Sequence, residues 1–107
     1  MEVEQRRTTR FNLRLPVAVT RSGAQTMSDA GVTANISSGG VLFTATRPPE
    51  IGGRIEYIIT LNSEGGVSVQ LRCMGKVLRC HPASDTSRPT FQVAATLERY
   101  EFLRGRN

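Results

Sequence analysis

The sequence predicts an all-β domain, a small six-stranded antiparallel β-barrel. Three observations predict it. Apolar residues alternate at a period of two in six separate stretches, segments rich in Gly, Pro, Ser and Asn divide those stretches, and only the C-terminal end carries helical spacing. A closed barrel is favoured because closure removes the edges that Val- and Ile-rich strands would otherwise expose. At 107 residues the chain is one domain, long enough to bury one core without disulfide or metal staples.

The elements follow in order. Residues 1–12 form an N-terminal arm, expected to be exposed and flexible, because MEVEQRRTTR has no hydrophobic periodicity. The barrel occupies 13–97. Leu13, Leu15, Val17 and Val19 alternate in the first strand, where Pro16 suits an edge or a bulge. SGAQTMSDAG reads as a polar loop or irregular hairpin. Val32, Ala34 and Ile36 alternate next, and after the SSGG turn a third strand runs from Val41 to Thr46. Ile55, Tyr57, Ile59 and Leu61 give the fourth strand, closed by NSEGG. Val67, Val69, Leu71 and Cys73 share one parity in the fifth, with a bulge expected near Met74–Lys76. Phe91, Val93, Ala95 and Leu97 make the sixth. Residues 98–107 form a tail or short helix, with Leu97, Tyr100 and Leu103 at helical spacing. Phe43, Tyr57, Phe91 and Phe102 are expected in the core.

The net charge is +5, and thirteen of the fourteen basic residues are Arg. A guanidinium fork meets phosphate and guanine edges bidentately and stacks on π-faces, which an ammonium does poorly. Membrane insertion is not expected: no stretch is apolar enough to span a bilayer, and MEVEQRR has no apolar targeting core. Cytoplasmic residence follows as the default. Cys73 and Cys80 have only His81 to join them, so they read as reduced thiols on or beside a strand, with no metal site. No nucleophile–base pair or carboxylate dyad is spaced for catalysis, and an enzyme is not expected.

Two short patterns carry the functional reading. Arg6-Arg7-Thr8-Thr9-Arg10 has the form RxxxR, and Asn35-Ile36-Ser37-Ser38-Gly39-Gly40 has the form (D/N)xSxxG. In this order, at strand ends of a small β domain, they resemble the PilZ family of bacterial cyclic di-GMP receptors. LRLPVAV, GGVLFTA, GKVLRC and FQVAATL sit where that family places its strands. A second RxxxR, Arg10 to Arg14, overlaps the first, but Arg10 stands at the family's distance from the Pro16-Val17 pair, whereas Arg14 falls inside the strand.

The resemblance implies a ligand-binding set of Arg6, Arg7, Arg10, Asn35, Ser37, Gly39 and Gly40, no cofactor, and cyclic di-GMP as ligand. The chemistry suits these residues. Arg6 and Arg10 fit phosphate and the guanine O6/N7 edge, Arg7 adds charge or stacks on a base, and Asn35 accepts from the guanine N1–H and N2–H₂ donors. The Ser37 hydroxyl donates or accepts beside it, while Gly39 and Gly40 are expected to supply positive φ and close backbone approach. Ligand-induced ordering of the arm onto the barrel would be the signal, read by a downstream protein. The chain departs from the family where Ala94 or Ala95 replaces a glycine, where Leu97 replaces an aromatic residue, and where Asn35 replaces the commoner aspartate.

Two other readings compete. A PilZ-like adaptor would keep the fold and bind protein without nucleotide, although such adaptors typically lack the arginine pair. A barrel binding RNA or single-stranded DNA would want exposed aromatics among its basic residues. The aromatic content is 6%, most of it at core parity, so polymeric nucleic acid is not the expected partner.

Overall fold

The computed structural model describes residues 10–83 and 90–106. It contains seven strands: β1 (Pro16–Ser22), β2 (Gln25–Ile36), β3 (Gly40–Ala45), β4 (Arg54–Glu64), β5 (Val67–Pro82), β6 (Phe91–Thr96) and β7 (Arg99–Arg106). Pairing is antiparallel throughout, in the order β4-β1-β2-β3-β6-β5, and a β4–β5 ladder closes these six into a barrel. The extra strand, β7, lies along β5.

The inward residues of each strand build one core. Val17 and Val19, Val41 and Phe43, Ile55, Tyr57 and Ile59, Cys73 and Val77, and Val93 and Ala95 are all buried. Phe43 and Tyr57 meet with ring centroids 5.2 Å apart, and the Tyr57 hydroxyl donates to the Thr96 carbonyl at 3.0 Å. That bond satisfies the one polar atom the ring brings inside. Burying an aliphatic or phenyl side chain contributes about 1.5–3 kcal/mol, so these residues hold the barrel closed.

Five details differ from the sequence reading. The segment expected as a polar loop is largely strand: β1 and β2 form a hairpin around Gly23, whose φ of 63° lets the chain reverse. On β2 the buried residues are Asp29 and Thr33, not the Val32–Ile36 parity. Polar groups are tolerated there because they are bonded. Thr33 Oγ donates to the Leu13 carbonyl and accepts from Leu15 N–H, while the Asp29 carboxylate accepts from the Thr46 N–H and hydroxyl and from Arg47 N–H. The bulge of β5 falls between Val77 and Arg79, not at Met74–Lys76.

The C-terminal helical turn is also corrected. Residues 99–106 form β7, paired with residues 67–74 of β5. An isolated helix of this length is marginal in water, whereas β5 runs 16 residues and its first half would otherwise offer an open edge. Ladder formation wins. Phe102 consequently lies outside the core, 66% exposed.

Candidate functional site

The chain ahead of β1 is fastened to the end of β2. Phe11 N–H donates to the Ile36 carbonyl at 2.8 Å, and Ile36 N–H returns a bond to the Phe11 carbonyl at 2.9 Å. Thr33 secures the next residues through Leu13 and Leu15. The arm, expected free through residue 12, is therefore already anchored from Phe11 onward, and this bridge sets Arg10 beside the β2–β3 turn.

That turn is built around Ser37. Its N–H and its hydroxyl both donate to the Gly40 carbonyl, at 2.9 and 3.2 Å, and its oxygen accepts from Gly39 N–H at 3.3 Å. Leu97 N–H donates to the Gly39 carbonyl at 3.1 Å, tying the turn to the end of β6. The glycines do not act through positive φ, which in the described residues occurs at Gly23, Gly52, Gly65 and Gly66. At Gly40 the requirement is closeness, because a Cβ would stand 3.0 Å from the Ala95 carbonyl oxygen. Gly39 has open space around it.

A register shift between Thr33 and Asn35 places Asn35 opposite Leu42, on the outer side of the wall. The result is a cleft of about 380 Å³, within the usual range for small-molecule sites. Arg10, Asn35, Ser37, Gly39 and Gly40 line one side, Val41, Leu42, Ala94 and Ala95 the floor, and Leu78 with Arg79 the far side. Five residues expected from the two motifs thus meet in one place. Arg6 and Arg7 lie outside the described residues. Arg14 is exposed and is not among the cleft-lining residues. The lining carries two arginines and no carboxylate among the described residues, so the cleft favours an anion. Two other hollows, one beside Asp29 and Arg47 and one beside Glu56 and Glu98, hold only about 90 Å³ each.

Sequence reasoning missed Leu42, Leu78 and Arg79. The signal for the last two was a change of parity: Val77 is buried and Cys80 packs against the core, a spacing of three that an unbroken strand cannot produce. Away from the cleft, two titratable groups lie in the core. Burial pushes the Cys73 thiol up to about 12 and raises the Tyr57 hydroxyl well above its usual range. Arg72 bridges Glu101 at 2.9 Å and Glu56 at 3.5 Å on the surface. Among the described residues, no three His, Cys, Asp or Glu side chains gather as a metal site, and no helix is long and apolar enough to cross a membrane.

Against known families, the model of the PilZ domain matches residues 4–102. This chain belongs to the PilZ family. The match takes in both motifs, all six barrel strands and the first half of β7. A search of curated proteins gives no match. PilZ domains are binding and adaptor modules rather than catalysts, in keeping with a cleft whose polar groups suit recognition.

Proposed function

We propose that this PilZ domain is a non-enzymatic receptor for cyclic di-GMP in the bacterial cytoplasm. One observation carries the reading: Arg10, Asn35, Ser37, Gly39 and Gly40, drawn from two distant stretches of sequence, line a single cleft with no carboxylate among its described lining residues. The ligand brings two phosphate charges and two guanines. Arg10 supplies charge-assisted bonds to phosphate or to a guanine O6/N7 edge, and Asn35 accepts from the N1–H and N2–H₂ side. Arg6 and Arg7 stand four and three residues before Arg10. An extended chain at about 3.3 Å per residue puts them within roughly 13 Å of it, close enough to close over the same ligand.

Signalling follows from energetics. Ordering each backbone residue costs about 1–2 kcal/mol, and each charge-assisted bond returns about 1.5–3 kcal/mol. Ligand therefore draws the segment ahead of Phe11 onto the barrel, and a downstream protein reads the new surface. Isothermal titration calorimetry tests the receptor. Micromolar or tighter binding, absent with GTP, is expected, and Arg10→Ala weakens it roughly thirtyfold, corresponding to about 2 kcal/mol. A folded protein that binds no cyclic di-GMP overturns the reading. The adaptor alternative would then hold, favoured by the exposed Tyr100 and Phe102 on β7.

A further inference from the structure

β7 covers the edge of β5 and becomes an edge itself. Among the described residues its one ladder is with β5, and no strand lies along its other side. Its two faces differ. Tyr100 stands opposite Cys73, Phe102 opposite Leu71 and Arg104 opposite Val69, and residues opposite each other in an antiparallel pair share a face. Cys73 is buried and Leu71 packs against the core, so these three side chains of β7 continue the core side of the sheet outside the barrel. On the other face Glu101 is already bound to Arg72 at 2.9 Å. Tyr100 is 59% and Phe102 66% exposed, with their rings edge to face and centroids 6.1 Å apart. The chain has four Phe and two Tyr, so a third of its aromatic residues stand uncovered on an unpaired strand. Such an edge is a template for another strand.

We infer that β7 pairs antiparallel with β7 of a second copy of this chain, across a two-fold axis through Phe102. The strand is complementary to itself in that register. Phe102 meets its own counterpart on the axis, and on either side Tyr100 faces Arg104 of the second copy, a guanidinium against a phenol ring. Centring the pair on Glu101 would set two carboxylates directly opposite each other, and centring it on Leu103 would lose the direct pairing of the two phenylalanines. Each copy uses β7 for this contact, so the assembly closes at two instead of growing into a fibre. Aromatic side chains bury about 150–250 Å² each, and at the exposures seen here the four rings offer roughly 500 Å². With the strand backbone added, the interface lies at the small end of specific contacts, below about 1,200 Å², which makes the dimer a weak one. The inference is independent of the cyclic di-GMP reading.

The test is sedimentation velocity without nucleotide, from about one to several hundred micromolar chain, the range in which small interfaces associate. The wild-type chain is compared with Phe102→Arg, Tyr100→Arg, the double variant Tyr100→Arg/Arg104→Glu and, as a surface control, Ile51→Arg, which is 62% exposed in the wild type and lies outside β7. A thermal melt of each shows that the fold is kept. The wild-type chain passes from monomer to dimer as concentration rises. Phe102→Arg and Tyr100→Arg each weaken the association about tenfold or more, because they set guanidinium groups against each other across the axis. The double variant recovers the dimer by pairing the new cation with a carboxylate of the second copy, and Ile51→Arg dimerises as the wild type does. A wild-type chain that stays monomeric throughout, a dimer that survives both single variants, or assemblies that grow beyond two overturn the inference. Failure of the double variant to recover the dimer overturns the register on Phe102.

Discussion

The Ser37 hydroxyl is occupied by its own turn, donating to Gly40 and accepting from Gly39, so in the proposed receptor its role is to hold Asn35 and the glycines in place. Serine motifs of this kind stabilise turns modestly. Ser37→Ala accordingly weakens cyclic di-GMP less than Arg10→Ala does, by about 1 kcal/mol. Parallel titrations check the ranking, and a Ser37→Ala loss equal to that of Arg10→Ala would show a direct ligand bond. At this scale the meeting of Arg10, Asn35, Ser37, Gly39 and Gly40 in one cleft was legible in the sequence, because their types and spacing are local. The φ argument for Gly39 and Gly40 was not, since Gly40 is constrained by the Ala95 carbonyl of a strand more than fifty residues away.

The strands show why some elements could be read and others not. β3, β4 and β6 keep a simple alternation in the stretches that pair within the barrel, and their buried residues follow the period of two. β2 breaks the rule because Asp29 and Thr33 find partners inside, and hydrophobic pattern alone cannot foresee a satisfied polar group. β7 was hidden because its pairing depends on how far β5 extends, a tertiary fact. Close strand packing makes a further test. A Cβ at Gly75 of β5 would run into the Thr96 carbonyl and side-chain oxygen. Gly75→Ala should lower stability by about 3 kcal/mol, measured by urea unfolding. Gly39→Ala meets nothing and should leave the midpoint close to wild type.

On the scale of the whole molecule, two ionisable groups among the described residues are held neutral in the core. The Cys73 thiol, raised from 9.0 to about 12, and the Tyr57 hydroxyl, raised from 10.0, are both shifted mainly by desolvation. Their folded pKa values exceed the unfolded ones, so the stability they contribute is complete below about pH 9. It is lost as pH rises, because the unfolded chain releases protons that the barrel retains, with a limiting slope of about 1.4 kcal/mol per pH unit for each group. Stability should hold up to about pH 8.5 and then decline. Cys73→Val removes the thiol at similar volume and should flatten the decline between pH 9 and 10. An unchanged slope in that variant would remove Cys73 as its cause.

Tyr57 hangs from the Thr96 carbonyl, and the very next amide, Leu97, holds the Gly39 carbonyl of the cleft. Cleft and barrel interior are thereby joined across two consecutive residues. The deuterium uptake of one backbone amide is a built-in isotopic clock for the turn, ticking at a rate set by how often Gly39 lets go.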